Sequence, residues 1–335
     1  MIREGTTVTT EARAVAEVLY KAAAAAGHAP SIHNTQPWRW RLAGEDMDLF
    51  TEPSRMLEVT DPDGRLAIMS CGAALHHARI AIAAHGWRAT VTRLPDPADA
   101  GHLARLRIDG PAPIGRDTEV RAQNIRLRRT ERRPVTGLPV GADELGTLTR
   151  AAESQDTRLH VLRPEQIFDL AAAVGLTQDA EARDTQWRQE LAQWTGDGRR
   201  PGTGVPDSVI PQSAPATTVP GRDFGRHGDL PAANGHDRPA VFAVLYGPGD
   251  GPIDWLRAGE ALSALWLVAT ELNVSVLPLS APIEVDVARA SVRHLLADLG
   301  NPYLALRLGR LAIDDVDVAH TPRMPVDQII EHLPG

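Results

Sequence analysis

Two stretches of the chain that lie 187 positions apart share one order of features. Residues 72–75 (GAAL) begin a helical stretch that is followed by Gly86 and a strand-like segment. Residues 259–262 (GEAL) begin a helical stretch that is followed by Asn273 and a second strand-like segment. If this order arose by duplication, the chain must fold as two related halves. Three identities over one helix also arise by chance, so these residues alone leave duplication and coincidence both open.

Length and charge limit the classes of protein to consider. At roughly 150 residues per domain, a chain of 335 residues predicts about two folding units. Hydrophobic residues make up 43% and charged residues 23%, which excludes a mainly disordered, collagen-like or coiled-coil chain. The net charge of −8 excludes a generally cationic surface for nucleic acid or anionic lipid. Any bound anion therefore needs a local cluster of basic residues.

Three features predict the compartment. Cys71 is the single cysteine and cannot form an internal disulfide, which fits a reducing environment. Residues 1–5 lack the apolar core of a signal peptide. The most apolar run, residues 261–270, is too short to span a membrane. We therefore expect a cytoplasmic protein with no membrane anchor and no nucleic-acid partner.

Periodicity predicts the secondary structure of the first third of the chain. Thr9 or Thr10 can cap a helix that runs to about Ala26. Alternation over residues 38–42 and 48–51 predicts a hairpin. We expect a long helix from about Leu66 to His85. Two further strands are expected, over residues 87–93 and 102–108.

The segment from 195 to 240 has a different composition from the rest. Its 46 residues include eight glycines and seven prolines, which predicts a long loop. Loops of this size are usually either disordered or functional lids, and composition leaves both interpretations open. Trp187, Trp194 and Phe224 supply apolar groups with which the segment can dock.

The familiar catalytic and nucleotide-binding motifs are absent from the sequence. It contains no G-x-G-x-x-G that opens a helix, no G-x-x-x-x-G-K-[ST] and no G-x-S-x-G. His76 and His77 are adjacent and point in different directions on a helix, whereas metal ligands on one face need a spacing of three or four. We assign no metal ligand and no catalytic side chain.

Two polar segments could bind a ligand. Residues 29–38 (APSIHNTQPW) form a loop bounded by prolines that offers backbone amides, a hydroxyl and a carboxamide to a planar polar ligand. Residues 126–133 contain five arginines in eight positions, and the guanidinium fork is suited to phosphate. The alternatives are an ordinary Asx-type turn for the loop and a solvated helix end paired with acids for the arginines.

Taken together, these segments resemble the flavin-dependent nitroreductase family. Residues 30–38 are similar to its P-S-x-x-N-x-Q-P-W signature and residues 128–132 to its R-x-[ST]-x-[KR] element. Residues 321–326 are similar to its C-terminal basic pair, of which Arg323 is kept and Thr321 replaces the other member. A tandem chain with an A-P-S-x-H-N-T-Q-P-W loop is characteristic of the Acg family of actinobacteria, which the whole chain resembles.

The resemblance implies a fold. Nitroreductases are dimers whose FMN lies at the interface, between the arginine element of one chain and the P-S-x-x-N loop of the other. Here the loop precedes the arginines, as expected for a fused pair, which favours duplication. We expect an α+β fold of two tandem nitroreductase-like halves, 1–115 and 116–335, each with an antiparallel-dominated mixed sheet wrapped by helices. The halves would pack as a pseudo-dimer, with a lid at about 195–240 and one flavin site in a monomeric or homodimeric protein.

It also implies the residues of the FMN site. The basic residues and a threonine hydroxyl would hold the phosphate end, the end of a strand near residue 278 would supply backbone donors beside the flavin N5, and the proline-bounded loop would contact the cofactor from the other half. The implied cofactor-binding residues are Pro30, Ser31, Ile32, Asn34, Arg128, Thr130, Arg132, Pro278, Leu279, Ser280 and Arg323.

The activity implied is that of an FMN-dependent oxidoreductase. It would pass electrons from NAD(P)H to a nitro compound, a quinone or a similar small-molecule acceptor. Two alternatives remain open: a flavin-sequestering protein whose closed lid allows little turnover, and a specialised flavin oxidase or desaturase for one metabolite. The first alternative differs from the reductase in whether a nicotinamide can reach the flavin past the lid.

Overall fold

The helices and strands of the first half follow the order expected for residues 1–115. The computed structural model describes residues 3–231, 235–312 and 319–332. The first half contains α1 (Arg3–Ala26), β1 (Trp38–Ala43), β2 (Asp46–Thr51), α2 (Arg65–Ala84), β3 (Trp87–Arg93) and β4 (His102–Pro111), with short 3-10 turns at Ile32–Asn34 and Pro53–Arg55.

The rest of the chain adds more helices and a second set of strands. In chain order it contains α3 (Arg116–Leu127), α4 (Ala142–Glu153), β5 (Arg158–Val161), α5 (Pro164–Arg183), α6 (Thr185–Gln193), β6 (Val241–Gly247), α7 (Pro252–Glu271), β7 (Ser275–Leu279), α8 (Ala281–Glu284), α9 (Asp286–Leu295), β8 (Asn301–Gly309) and β9 (Ile330–His332), with 3-10 turns at Asp207–Val209 and Val326–Gln328.

Most of the predicted early elements are confirmed. The hairpin, the long helix and the strand over residues 87–93 all form within one or two residues of their expected bounds. The predicted start of α1 is wrong, because the helix begins at Arg3 and runs through Thr9 and Thr10. Threonine inside a helix costs only about 0.7 kcal/mol relative to alanine, so a threonine does not by itself mark a helix boundary.

The strands form two separate sheets. The first has the order β3-β4-β2-β1-β9 and the second has the order β5-β6-β8-β7. The first sheet is mixed. Strand β9 pairs in parallel with β1, whereas the pairs β1–β2, β2–β4 and β3–β4 are antiparallel. In the second sheet every ladder between described strands is antiparallel, and its parallel pairing is confined to an isolated bridge between Thr130 and Val276 on β7. The second half supplies the last strand of the first sheet, so the two halves are interlocked.

The two long apolar helices pack against each other between the sheets. Helix α2 contacts the first sheet, α7 contacts the second, and α2 lies along α7. The backbones meet at two glycines: a Cβ atom on Gly72 would lie 2.0 Å from the carbonyl oxygen of Leu256, and one on Gly259 would lie 1.9 Å from that of Met69. These glycines are 187 positions apart and confirm the expected pseudo-dimer packing of the central helices.

Polar pairs are also buried in this helix interface. His76 Nδ1 lies 2.9 Å from Ser263 Oγ, and burial lowers the pKa of His76 to about 3, so the ring is neutral. The fully buried Glu260 forms salt bridges with Arg79 (2.6 Å) and Arg93 (2.7 Å). Both groups satisfy the rule that a buried polar atom needs a partner.

One helix, α2, has the length and composition of a membrane span. Within the described ranges it is the single candidate, and 83% of its apolar window is buried inside the protein. Its apolar face is covered by α1, α7 and the first sheet, which is the environment of a core helix.

The glycine contact between α2 and α7 gives a first prediction. Gly259→Ala should destabilise the protein by about 3 kcal/mol or more, because the new methyl group would overlap a backbone oxygen and force the helices apart. In the matched control Gly175→Ala, on α5, no atom lies within 4 Å of the new Cβ. That variant should be neutral or more stable by up to about 1 kcal/mol. Chemical denaturation measures both, and equal stability of the two variants would contradict the packing model.

Candidate functional site

A large cavity lies where the two halves meet. Its walls come from the loop after α1, from α2 and α7, from the segment after α3, from the end of β7, from residues 205–224 and from residues 319–323. The structure brings all the residues implied by the resemblance into this one lining: Pro30, Ser31, Ile32, Asn34, Arg128, Thr130, Arg132, Pro278, Leu279, Ser280 and Arg323. Their role in binding a cofactor remains a prediction.

The proline-bounded loop has an unusual backbone. His33, Asn34 and Gln36 have φ angles of 44°, 55° and 54°, and left-handed backbone at a residue other than glycine costs on the order of 1 kcal/mol or more. Two hydrogen bonds brace this shape: Gln36 N donates to Ser31 Oγ (3.0 Å) and Ile32 N donates to Ser70 Oγ on α2 (3.1 Å). The loop is therefore rigidly attached to a core helix.

Asn34 joins the loop to two distant segments. Its Nδ2 donates to the carbonyl oxygens of Gly204 (2.9 Å) and Pro322 (3.0 Å). Its Oδ1 accepts a hydrogen bond from Arg323 Nη1 (3.0 Å). Because the carboxamide is occupied by these contacts, Asn34 positions its neighbours, and its direct contact with a ligand remains a prediction.

Gln36 makes a similar connection. Its Nε2 donates to the carbonyl oxygen of Gly202 (2.7 Å), and its Oε1 accepts from Met324 N (3.1 Å). The two carboxamides thus tie the loop, the start of the 195–240 segment and the C-terminal segment into one assembly.

The arginine segment is fixed by the second sheet. Thr130 forms a parallel bridge with Val276 on β7, which is an edge strand. The buried Arg307 on β8 donates to the carbonyl oxygens of Glu131 (3.1 Å) and Arg133 (2.5 Å). These contacts hold residues 128–132 alongside the end of β7, so that both line the same cavity.

Three arginines reach the cavity from different directions. The guanidinium of Arg128 lies 4.4 Å from the ring centroid of Trp266 and donates to the carbonyl oxygen of His28 (3.1 Å). Arg323 Nη2 donates to the same carbonyl (3.3 Å), and its Nη1 donates to Thr321 Oγ1 (2.5 Å). Thr321, which replaces a basic residue of the family pattern, therefore positions Arg323. Arg132 lies 5.7 Å from the ring centroid of Phe224.

These arginines have no carboxylate partner among the residues that the structure describes. Within the described ranges none of the three forms a salt bridge, and the Nε atoms of Arg128 and Arg323 are buried without a hydrogen-bond partner. Burial lowers the pKa of Arg323 to about 10, and lowers the pKa of Arg132 to about 10 against the opposing effect of Glu131. Burial, with Arg323 nearby, also lowers the pKa of Arg128.

The cavity is therefore suited to an anion. Buried cations without partners are costly, and an anionic group would relieve both the missing hydrogen bonds and the mutual repulsion of Arg128 and Arg323. Phosphate accepts several charge-assisted hydrogen bonds at once. Apolar side chains of α2 and α7, among them Leu66, Leu262 and Trp266, line the same cavity and suit a planar ring system. The residues present fit a ligand that combines a phosphate with a planar ring.

The 195–240 segment packs over this cavity. Val205, Val209, Ile210 and Leu230 form a small apolar core of their own, with Phe224 against it. Arg222 fixes the segment to the second half through buried salt bridges with Glu181 (3.3 Å) and Glu284. Burial alone would lower the pKa of Arg222, but the two carboxylates raise it, so the guanidinium stays charged.

Among the lining residues that sequence reasoning missed are His33, Arg222 and Trp266. His33 lies inside the recognised loop, where the general P-S-x-x-N-x-Q-P-W signature allows any residue, and the histidine of the A-P-S-x-H-N-T-Q-P-W loop was given no role. Arg222 lies in a Gly/Pro-rich stretch without periodicity, and its partners lie far away in the chain, so no local signal could have found it. Trp266 occurs in an apolar helix, where it indicates only core packing.

Two further expectations concern side chains outside the cavity. Across the residues that the structure describes, no cluster of three or more His, Cys, Asp or Glu side chains could hold a metal ion. Cys71 is buried, its Sγ lies 3.3 Å from the carbonyl oxygen of Pro37, and burial raises the pKa of its thiol. Such a thiol is protonated and unreactive at neutral pH.

Two interlocked α+β halves that share a cavity suited to an anion have the architecture of a fused dimer, and comparison with known proteins identifies the family of this chain. The chain is 36% identical over 313 residues to Rv3131 of Mycobacterium tuberculosis, whose provisional name is NAD(P)H nitroreductase, across 90% of this chain and 88% of that protein. It is 34% identical over 317 residues to acg of the same organism, which has the same provisional name, across 93% and 95% of the two chains. The chain belongs to the Acg-like family of nitroreductase-related proteins. No family model matches it.

Solved structures of single-copy nitroreductases are more distant. The FMN-bound nitroreductase of Desulfitobacterium hafniense is 14% identical with a TM-score of 0.39, and the match covers 64% of this chain and 98% of that one. The FMN- and NADPH-dependent nitroreductase NfnB of a Sphigopyxis strain is 16% identical with a TM-score of 0.39, and the match covers 64% and 99%.

The buried Arg222 cluster gives a second prediction. Arg222→Met leaves Glu284, which is 0% exposed in its side chain, without its charged partner, and this should cost about 3–5 kcal/mol. Hydrogen exchange should then increase selectively in residues 205–231. The control Arg226→Met breaks a pair with Asp207 whose side chains are 37% and 18% exposed, and should cost less than about 1 kcal/mol. Unchanged exchange in Arg222→Met would show that this cluster does not hold the segment closed.

Proposed function

We propose that this protein is an FMN-dependent oxidoreductase that accepts hydride from NAD(P)H and passes electrons to a nitro compound, a quinone or a similar small-molecule acceptor. The observation that carries the proposal is the set of buried arginines without carboxylate partners in a cavity with apolar walls. The provisional names of Rv3131 and acg point to the same activity. FMN would supply the hydride and electron chemistry.

The side chains have separate parts in this proposal. Arg128, Arg323 and the Thr130 hydroxyl would hold the phosphate, because all three line the same cavity. Arg132, which lines the same cavity, would complete this group at the phosphate end. At the end of β7, Pro278 has no N–H, so the amides of Leu279 and Ser280 are the donors that could face the ring. Such donors would stabilise negative charge that develops on the ring, and they would not transfer a proton.

A second function, flavin sequestration with little turnover, is favoured by one observation. Residues from 205 to 224 line the cavity, and Arg222 secures them through two buried salt bridges. A cover that never opens would keep out water and nicotinamide alike. The two proposed functions therefore differ in one property of this segment, the proposed lid. The lid opens in a reductase and stays closed in a sequestering protein.

The remaining assignments follow from the same arrangement. We propose that the halves divide at about residue 115 and that one chain completes one flavin site, because both walls of the cavity come from the same chain. A monomer is therefore sufficient, with a homodimer as the alternative. The free buried Cys71 suits a cytoplasmic location.

The arginine assignment gives a third prediction. Arg128→Ala and Arg323→Ala should each weaken FMN binding by about 10- to 100-fold, because each removes a charge-assisted hydrogen bond to the phosphate. Arg126→Ala is the matched control, since Arg126 is exposed and does not line the cavity. Fluorescence titration of apoprotein with FMN measures all three. Equal affinity in the wild type and both cavity variants would refute the phosphate assignment.

Anaerobic titration with NADPH and then NADH gives a fourth prediction. A reductase should lose its visible flavin absorbance with at least one nicotinamide, because the donor must reach the ring. A variant that lacks residues 212–229 should be reduced faster, because it loses Arg222 and Phe224 from the cover. The deletion joins close ends, since Pro211 and Leu230 form an isolated β-bridge.

The deletion variant needs one further change and a control. Removal of Arg222 leaves Glu284 buried without its partner, so the deletion should carry Glu284→Gln, and full-length Glu284→Gln serves as the control. Reduction of the shortened variant alone would support sequestration. Failure of both nicotinamides to reduce either form would argue against an NAD(P)H-dependent reductase.

A further inference from the structure

His33 differs from the other polar side chains that the proline-bounded loop places at the cavity. Asn34 is fully occupied by Gly204, Pro322 and Arg323, and Ser31 Oγ accepts from Gln36 N. His33 Nε2, in contrast, is buried and has no hydrogen-bond partner among the described residues. A buried nitrogen without a partner is costly, and a ligand in the cavity could recover that cost.

The orientation of the His33 ring is fixed from both sides. Its backbone is left-handed, with φ 44° and ψ 24°, between residues whose hydrogen bonds anchor the loop. Its ring meets the ring of Phe224 edge to face, with centroids 6.5 Å apart and planes at 75°. The two rings therefore form a corner of the cavity between the loop and the 195–240 segment.

The charges around this corner favour a neutral ligand. Burial lowers the pKa of His33 well below its usual 6.5, and Arg222 and Arg132 lower it further, so the imidazole is neutral at physiological pH. A neutral imidazole has one N–H donor. Arg222 is already compensated by Glu181 and Glu284, and Arg132 belongs to the proposed FMN contacts. The corner thus offers an aromatic face and one uncharged hydrogen-bonding nitrogen.

We propose that His33 and Phe224 form the acceptor subsite of this cavity, which binds a planar aromatic molecule with a neutral oxygen acceptor such as a nitro or quinone oxygen. His33 Nε2–H donates to that oxygen, and the ring of Phe224 packs against the aromatic ring. The inference rests on the proposed function, because the bound molecule is the electron acceptor. His33 determines specificity and orientation here and transfers no proton.

Equilibrium binding tests the proposal without turnover. The FMN-loaded, oxidised protein is titrated with 1-nitronaphthalene and, separately, with 1-methylnaphthalene, in the absence of any nicotinamide. The two probes have similar shapes, and only the nitro compound can accept a hydrogen bond. Perturbation of the visible flavin absorbance reports the dissociation constant of each.

His33→Phe should weaken binding of the nitro probe by about 10-fold and change the methyl probe by less than about 2-fold. His33→Gln places an amide N–H near the position of Nε2 and should restore most of the affinity for the nitro probe. Phe224→Leu should weaken both probes to a similar extent, because it removes aromatic contact and leaves the hydrogen bond. This variant keeps the proposal testable if His33→Phe does not fold.

Two results would overturn the inference. One is a pair of findings: His33→Phe weakens the binding of both probes equally or of neither probe, and Phe224→Leu binds both probes as tightly as the wild type does. The other is a flavin-loaded wild type that binds neither probe. A protein without a flavin spectrum after reconstitution with FMN would instead refute the proposed function, so the two failures are distinguishable.

Discussion

The close contact of α2 with α7 at Gly72 and Gly259 is the constraint on which the rest of the structure depends. It sets the separation of the two helices at a value that no side chain would permit. The same helices supply Leu66 and Ser70 on one side of the cavity and Leu262 and Trp266 on the other. The width of the ligand cavity and the stability of the core are therefore set by one interface, and a change in the helix spacing would alter both.

The cavity also shows how a protein can hold positive charge in place without neutralising it. Arg128 and Arg323 are oriented by carbonyl oxygens, including that of His28, which both contact. A carbonyl dipole accepts a hydrogen bond and leaves the net charge available to a ligand. Arg222 is held differently, by Glu181 and Glu284, which cancel its charge. Arginines in adjoining positions thus differ in their parts: Arg128 and Arg323 keep their charge available inside the cavity, and Arg222 attaches the covering segment.

The sequence predicted those parts of the fold that depend on local patterns. The β1–β2 hairpin and α2 were predictable because alternation and a long apolar stretch are properties of neighbouring residues. The parallel pairing of β9 with β1 was not, because it joins Trp40 to Ile330 across most of the chain. The arginines could be identified from a family pattern. The unpaired Nε2 of His33 could not be identified in this way, because it depends on how Phe224 packs against the ring. Contacts between distant segments carry no spacing signal in a single sequence.

The placement of β9 has a consequence for how the protein is made. Residues 319–332 carry Arg323 to the cavity and add the last strand to the first sheet, yet the ribosome synthesises them after β1 to β8. Domains generally begin to fold during synthesis, from the N-terminus onward. A nascent chain can therefore pair β1 to β8 into their sheets while the first sheet still lacks β9 and the cavity still lacks one of its three arginines. The set of arginines that suits the cavity to an anion is then complete only once this segment has emerged and paired with β1.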